Sequence, residues 1–258
     1  MGRTALITGA SSGIGYELAK LFAQDGYDLI LVARSEKRLN ALKTALENQY
    51  DVQGTVIVQD LAKENAAQAV YDAVEAAGLT VDVLVNDAGF GDYGRYANTD
   101  WDKQQRMVHV NILALMQMTR LFLPQMLQRG RGGILNLASL AAFFPGPYMS
   151  VYYASKAFVL SFTEALSAEL AGSGVTVTAV CPGPTTTGFE AASGPGTAKL
   201  FSALKNATAG EVALFAWHAL LCGKPVAIYG GLNRAFIFGA RFAPRSAIRA
   251  VVKMIQGP

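Results

Sequence analysis

The chain has 258 residues, of which 52% are hydrophobic and 16% are charged, so its composition is that of a folded protein with a large core. A net charge of +3 is too small to indicate nucleic acid as the main partner. Because no apolar run reaches the ~18 residues of a membrane span and two cysteines form no disulfide framework, we expect a cytoplasmic protein.

Strand-like apolar runs alternate with helix-like segments along most of the chain. The strand-like runs are residues 4–8, 28–33, 54–58, 81–86, 133–137, 175–180 and 226–229. The helix-like segments are residues 14–24, 65–77, 101–122, 152–171 and 211–221, with another helix capped by Ser35 and with Pro124 helping to end the helix at 101–122. This pattern predicts an α/β fold, a single-domain Rossmann-type doubly wound parallel sheet with helices on both faces. Residues 1–230 would form the dinucleotide-binding and catalytic part, and residues 231–258 a basic amphipathic tail of the same unit.

The first predicted strand runs directly into a glycine-rich loop, Thr8-Gly9-Ala10-Ser11-Ser12-Gly13-Ile14-Gly15. Glycines at a strand-to-helix junction permit a tight turn and let the backbone approach a pyrophosphate, which then lies at the helix N-terminus. A plain structural turn is the alternative, but the position of the loop at the first β-α junction favours dinucleotide binding.

The spacing of these glycines resembles that of the classical short-chain dehydrogenase/reductase family. Further features agree with the family in the same order along the chain: Asn86-Asp87-Ala88-Gly89, Asn111, Ser139, Tyr152 with Lys156, and Pro182-Gly183. The resemblance covers roughly residues 3–230. It departs at Asp87, where the family usually has a second asparagine.

The resemblance implies an oxidoreductase with the catalytic residues Asn111, Ser139, Tyr152 and Lys156. Asn111 would hold a water relay behind Lys156, and Lys156 would also bond the nicotinamide ribose. The implied cofactor contacts are Gly9, Ser11, Ser12, Gly13, Ile14, Gly15, Asp60, Leu61, Asn86, Ala88, Gly89, Tyr152, Lys156, Pro182, Gly183 and Thr185. No metal ion is implied.

The residue after the second predicted strand indicates which dinucleotide is bound. NAD-binding folds place an acidic residue there to hold the ribose hydroxyls. This chain has Arg34, followed by Lys37 and Arg38. Because arginine binds a phosphate through a fork of donors, we predict that Arg34 and Arg38 hold the 2′-phosphate of NADP(H). A solvated start to the second helix is the alternative.

Tyr152 and Lys156 are four residues apart, so their side chains lie on one face of a helix. A carbonyl that accepts a hydride becomes an alkoxide and needs a proton from an acid at its oxygen. A free tyrosine has a pKa of ~10, and lowering it by ~3 units needs roughly 4 kcal/mol. One ammonium at ~4 Å supplies about that much, so we predict that Lys156 lowers the pKa of Tyr152. Ser139 would hydrogen-bond the substrate oxygen.

The sequence thus predicts an NADP(H)-dependent hydride transfer to or from a carbonyl/alcohol carbon. Segments 140–149 and 185–201 should border the nicotinamide, with Phe90, and they carry Phe143, Phe144, Met149, Phe189 and Phe201. These residues favour an apolar or aromatic small molecule as substrate, and segment 185–199 is typical of a lid. The alternative is a non-catalytic NADP(H)-sensing protein on the same fold.

The C-terminal segment combines apolar and basic residues. Five basic residues and no acidic ones follow Gly231, whereas the preceding chain has 17 basic and 19 acidic residues. Basic amphipathic segments can lie on anionic membranes, and the alternative is packing on the body or on a sister subunit. We expect packing or a subunit contact, in a homodimer or homotetramer, rather than membrane contact.

Overall fold

The computed structural model describes residues 2–189 and 206–257. In that part of the chain seven parallel strands form one sheet in the order β3-β2-β1-β4-β5-β6-β9. These strands are β1 (Arg3–Thr8), β2 (Tyr27–Ala33), β3 (Gly54–Val58), β4 (Val83–Asn86), β5 (Gly132–Leu137), β6 (Val175–Cys181) and β9 (Val226–Ile228). The short strands β7 (Thr185–Thr186) and β8 (Ala207–Thr208) pair separately.

Helices cover both faces of the large sheet. They are α1 (Gly13–Gln24), α2 (Glu36–Gln49), α3 (Ala66–Ala76), α4 (Trp101–Val108), α5 (Leu115–Arg129), α6 (Ser150–Glu169), α7 (Ala209–Leu221), α8 (Gly231–Ala240) and α9 (Arg245–Gln256). Helices α1, α2 and α7 share one buried cluster with Ala5 and Ile7 of β1. Helices α3, α5 and α6 share a second cluster with Leu6 on the opposite face, because successive strand side chains point to opposite faces. The predicted Rossmann-type fold is therefore confirmed.

The predicted end of the long fourth helix is wrong. Pro124 lies inside α5, and the helix continues to Arg129 before Gly130 ends it in the left-handed conformation, with φ 62°. A proline inside a helix removes one backbone hydrogen bond. Here Phe122 and Met126 on either side of it are fully buried, and their packing offsets that loss. Ser35 does precede α2, but its side chain makes no capping hydrogen bond.

A π-helical segment, His109–Ala114, separates α4 from α5 and was not predicted. π-Helical turns inside α-helices are frequent at functional sites because they change the direction of a side chain. This one contains the buried Asn111.

Helices α8 and α9 follow the last strand of the sheet. Their inward-facing residues include Ile237 and Val252, which are buried. Within the described residues, no helix is both long enough and apolar enough to cross a membrane.

Candidate active site

A cavity of about 1040 Å³ lies at the carboxyl-terminal edge of the sheet. The residue that follows each of six neighbouring strands lines it: Gly9, Arg34, Gln59, Asp87, Ala138 and Pro182. In open parallel sheets ligands bind at this edge, where the strand order reverses. The β1–β4 neighbours lie at that point here.

The glycine loop forms one wall of the cavity through Gly9, Ser11, Ser12, Gly13 and Ile14. Gly9 has a φ of 74°, and a Cβ there would lie 3.0 Å from the backbone nitrogen of Ala88. Thr8 ties the loop to the end of β4, because its hydroxyl oxygen accepts the N–H groups of Asp87 and Ala88, both at 3.1 Å. The sequence interpretation did not assign a role to Thr8.

Asp87, at which the chain departs from the family that it resembles, lies directly beneath this loop. Its Oδ2 accepts the Gly15 N–H at 3.0 Å, so the amide of Gly15 is directed at Asp87. Gly15 itself does not line the cavity, unlike the other predicted loop residues. Burial raises the pKa of Asp87 to about 7, although the Lys156 ammonium and the Gly15 hydrogen bond act in the opposite direction.

The far end of the cavity is lined by cations. Arg34 and Arg38 both border it and are exposed, and Ser35 lies between them on the same wall. Asp60 and Leu61 are also part of the lining. Asp60 holds the turn after β3, since its Oδ1 accepts the Ala62 N–H at 3.1 Å and its Oδ2 lies 3.3 Å from a guanidinium nitrogen of Arg106.

Ser139, Tyr152 and Lys156 meet at the other end of the cavity. Ser139 follows β5, and its hydroxyl oxygen accepts the Ala141 N–H at 3.1 Å, which fixes the side chain at the start of a short 3₁₀ turn. Tyr152 and Lys156 project from the first turns of α6, and the Lys156 Nζ lies 6.0 Å from the centre of the Tyr152 ring. The Nζ donates to the Leu137 carbonyl oxygen at 2.6 Å.

The electrostatics of this end differ from the sequence expectation. Burial raises the pKa of Tyr152 to about 12, and an interaction with Ser139 acts in the opposite direction. Burial also lowers the pKa of Lys156 to about 8, against the attraction of Asp87. The expected lowering of the tyrosine pKa assumed an ammonium at ~4 Å, whereas the Lys156 ammonium is held on Leu137. A phenol in this environment stays protonated at neutral pH.

Asn111 lies behind this group rather than in the cavity lining. Its side-chain amide donates to the Phe90 carbonyl oxygen and to the Ser155 hydroxyl, each at 3.0 Å, and its Oδ1 accepts the Phe90 N–H at 3.1 Å. Ser155 in turn donates to the Tyr152 carbonyl oxygen at 2.7 Å. Asn111 therefore fastens the loop after β4 to the first turn of α6 through Ser155, a residue to which the sequence assigned no role.

Aromatic and aliphatic side chains surround the Tyr152 end of the cavity. Phe90, Phe144, Met149 and Phe189 line it as predicted, and the Phe189 ring centre lies 5.2 Å from that of Tyr152. The tail contributes further lining residues that the sequence interpretation did not place there: Leu232, Asn233, Phe236, Val252, Ile255 and Gln256. Gln256 is buried, contacts the Tyr153 hydroxyl through its Nε2, and accepts from the Tyr93 hydroxyl through its backbone oxygen at 2.6 Å.

Several predicted residues occupy other positions. Asn86 is buried under the site, where its amide donates to Asn136 Oδ1 at 2.9 Å, so it braces β4 against β5 and does not face the cavity. Phe143 packs against the buried cluster between α5, α6 and β6 and does not line the cavity. Ala88, Gly89, Pro182, Gly183 and Thr185 do line the cavity.

Phe201 and most of the predicted lid lie outside the described residues. No cluster of His, Cys, Asp or Glu that could hold a metal ion occurs in residues 2–189 and 206–257.

The raised pKa of Asp87 predicts a pH-dependent stability. The carboxyl is ionised above pH ~4 in the unfolded chain but only above about pH 7 in the folded protein, so its contribution to stability falls as the pH rises through that window. Asp87→Asn keeps an acceptor for the Gly15 N–H and removes the charge. We expect the difference in the free energy of unfolding, variant minus wild type, to be roughly 1–2 kcal/mol larger at pH 8 than at pH 5. Urea unfolding at both pH values measures it.

Asp82→Asn is the matched control, because the Asp82 carboxylate also accepts one backbone N–H, that of Thr4 at 3.0 Å. A stability difference between Asp87→Asn and wild type that is the same at both pH values would contradict the raised pKa.

The sequence matches a known protein family. A family model described as short chain dehydrogenase matches residues 3–197. Among curated proteins, the chain is 39% identical over 188 residues to the very-long-chain 3-oxoacyl-CoA reductase of Anas platyrhynchos, covering 70% of this chain and 59% of that protein. It is 38% identical over 190 residues to the ketoacyl reductase HetN of Nostoc sp., covering 70% of this chain and 63% of that protein. These matches span about three fifths of the length of those relatives.

Solved structures with the same fold bind either dinucleotide. A short-chain dehydrogenase from Sphingobium yanoikuyae in complex with NADPH has a TM-score of 0.82 and 32% identity, with 93% of both chains covered. A short chain dehydrogenase/reductase from Burkholderia phymatum in complex with NAD has a TM-score of 0.82 and 28% identity, with 92% of both chains covered. The bulky-bulky ketone specific alcohol dehydrogenase from Comamonas testosteroni has a TM-score of 0.78 and 29% identity, covering 93% of this chain and 92% of that one.

Proposed function

The chain belongs to the short chain dehydrogenase family, and from this membership we propose that it is an NADP(H)-dependent oxidoreductase acting on an apolar or aromatic ketone or aldehyde, or on the corresponding alcohol. The observation that carries the proposal is the single cavity that joins the Arg34 and Arg38 end to Ser139, Tyr152 and Lys156. One cavity thus brings a phosphate-binding end and an acid/base group together.

The residues of the cavity fit a dinucleotide phosphate. Its volume of about 1040 Å³ is at the upper end of the range for ligand sites, which suits a cofactor together with a substrate. The glycine loop offers backbone N–H groups at the start of α1 for a pyrophosphate. Arg34 and Arg38 line the cavity with no acidic residue between them. Two guanidinium groups suit the 2′-phosphate of NADP(H), whereas the free ribose hydroxyls of NAD(H) would call for an acidic acceptor.

Tyr152 would act as the acid when a carbonyl is reduced. When bound, NADPH would supply the hydride to the carbonyl carbon. The electron pair of the C=O double bond would then move to the oxygen, and that oxygen would take the phenolic proton of Tyr152 to give the alcohol. The Ser139 hydroxyl would donate to the same oxygen and stabilise its developing negative charge. Lys156, with a pKa lowered to about 8 by burial, can exchange a proton near neutral pH and would support reprotonation of Tyr152.

The substrate end of the cavity favours a bulky apolar carbonyl compound. Phe144, Met149, Phe189, Phe236 and Val252 present carbon surfaces around Tyr152. The printed names of two relatives, a very-long-chain 3-oxoacyl-CoA reductase and a bulky-bulky ketone specific alcohol dehydrogenase, support large ketones as the class to examine first.

Location and assembly are parts of the same proposal. Cys181 and Cys222 are both free thiols, which suits a reducing compartment such as the cytoplasm. Leu113, Met116 and Leu127 are exposed on and next to α5, and apolar side chains on an outer helix face suit a homodimer or homotetramer.

The test is a turnover assay with a set of bulky aliphatic, cyclic and aromatic ketones and aldehydes, with NADPH or NADH, at pH 7 and pH 9. We expect reduction with NADPH at pH 7, because the pKa of Tyr152 is raised to about 12 and the residue holds its proton there. Oxidation of the matching secondary alcohols needs the phenolate, so its rate should rise between pH 7 and pH 9. Cofactor binding without turnover of any compound would contradict the proposal and would instead indicate a sensor.

A further inference from the structure

The outer surface of α8 and α9 has an unusual composition. Every exposed residue from 231 to 257 is glycine, proline, an apolar residue, a basic residue or Ser246. Phe238 is 61% exposed and Phe242 is 77% exposed, and their ring centres lie 5.4 Å apart. Met254, on the outward face of α9, is 77% exposed. The face of a helix that is turned to water normally carries polar side chains, so this surface, which we name the α8–α9 surface, is not built for water.

The packing of α9 explains how the surface is held in place. Val252 and Gln256 are buried one turn apart, which fixes the inward face of the helix. The contacts of Gln256 with the Tyr153 hydroxyl and of Tyr93 with the Gln256 carbonyl oxygen hold the end of the helix on the body. The exposed residues on the opposite face therefore belong to a docked helix.

The charges of the surface are of one sign. Arg234, Arg241, Arg245, Arg249 and Lys253 are all exposed. None of them pairs with an acidic residue in the parts of the chain that the structure describes. In α9 the residues 245, 249 and 253 are four apart, so these cations follow one line along the helix, on the side of Val252 and away from Met254. Exposed aromatic side chains together with exposed cations are typical of surfaces that bind anionic lipid.

We propose that the α8–α9 surface docks the protein on an anionic lipid surface, with Phe238 and Phe242 in the outer acyl region and the cations at the headgroups. A second copy of this chain is a poorer occupant. An isologous contact would bring five cations of each copy together without an acidic residue on either side. A head-to-tail contact would leave the same surface free on the next copy and would not close.

The position of the surface relates it to the cavity. Leu232, Phe236 and Ile255 line the cavity and are also exposed, and Leu232 is exposed to 89%. The cavity therefore reaches the outside along the docking surface. Given the proposed function, an apolar carbonyl compound dissolved in the lipid could enter without crossing water.

The test is sedimentation of the full chain with vesicles of phosphatidylcholine alone or of phosphatidylcholine and phosphatidylglycerol at about 7:3. Phe238→Ser/Phe242→Ser removes the aromatic pair, and Arg241→Gln/Arg245→Gln/Arg249→Gln/Lys253→Gln removes four charges; none of these residues lines the cavity. Trp101→Ala, at 62% exposure, and Lys63→Gln/Arg120→Gln/Arg131→Gln/Lys224→Gln, which also removes four exposed charges, are the matched controls. Thermal unfolding of each variant checks its fold.

We expect wild type and both controls to bind the anionic vesicles at least tenfold more tightly than neutral ones, with release at high salt. Each test variant should lose at least tenfold in binding while its unfolding temperature is unchanged. Absence of binding by the wild type, or equal binding by wild type and test variants, would overturn the proposal. A wild-type oligomer that dissociates in Phe238→Ser/Phe242→Ser would also overturn it, and would show a contact between copies. Because vesicle binding is measured without turnover, its outcome is independent of the proposed reaction.

Discussion

Replacing Tyr152 by phenylalanine is expected to lower kcat for carbonyl reduction by about 10²- to 10⁴-fold, the usual contribution of a positioned general acid. The ring would keep its packing against Phe189 and Tyr153, so the change removes the phenolic proton and little else. The dissociation constant of NADPH should therefore stay within about threefold of the wild-type value. Steady-state kinetics with a substrate from the carbonyl screen, together with fluorescence titration of NADPH, measure both quantities.

Tyr153→Phe is the matched control, because it removes a hydroxyl from the neighbouring ring. The Tyr153 hydroxyl is in contact with Gln256, so we expect a change in KM or stability and a kcat within several-fold of wild type. If Tyr152→Phe kept wild-type turnover, or if both variants lost turnover equally, Tyr152 would not be the proton donor.

The order of the elements could be predicted because each strand of a parallel sheet is apolar on both faces and each helix is not. β3 was predicted to the residue, and β1, β2, β5, β6 and β9 to within one residue at each end. The end of α5 could not be read in the same way. Pro124 is a strong local stop signal, but the burial of Phe122 and Met126 depends on contacts with distant strands, and these contacts extend the helix.

The site residues on the motifs were predictable because their spacing is local. Tyr152 and Lys156 share a helix face by periodicity, and Ser139 follows a strand that ends at the same edge of the sheet. The supporting contacts were not predictable, since each joins residues far apart in sequence. The hydrogen bond from Gly15 to Asp87 spans 72 positions, and that from Asn111 to Ser155 spans 44.

The charge state of Tyr152 shows a second limit of sequence reasoning. Helical spacing places a lysine on the correct face but does not say which acceptor its ammonium reaches. The Lys156 Nζ reaches the Leu137 carbonyl oxygen, and burial then dominates the pKa of the tyrosine. Burial of the phenol, which the helical spacing does not reveal, therefore sets the direction in which its pKa moves.

Replacing Arg34 by aspartate is expected to weaken NADPH binding by about 10- to 100-fold, in keeping with the loss of one charge-assisted hydrogen bond and the addition of a like charge. NADH lacks the 2′-phosphate, so its dissociation constant should change by less than about threefold. The retained Arg38 on the same wall limits the loss for NADPH. Titration of both reduced cofactors by fluorescence, at about 0.15 M salt, gives the two dissociation constants.

Lys37→Asp provides the matched control for Arg34→Asp. Lys37 is exposed, lies three residues away, and does not line the cavity, so the same charge change acts on the phosphate only through solvent and its ions. We expect it to weaken NADPH by less than about threefold. Arg34→Asp would fail as evidence for phosphate recognition if NADPH and NADH lost affinity equally, or if Lys37→Asp had the same effect. In either case the exposed cations at the start of α2 would contribute only a nonspecific positive charge. The preference for NADP(H) would then have to come from other residues of the cavity.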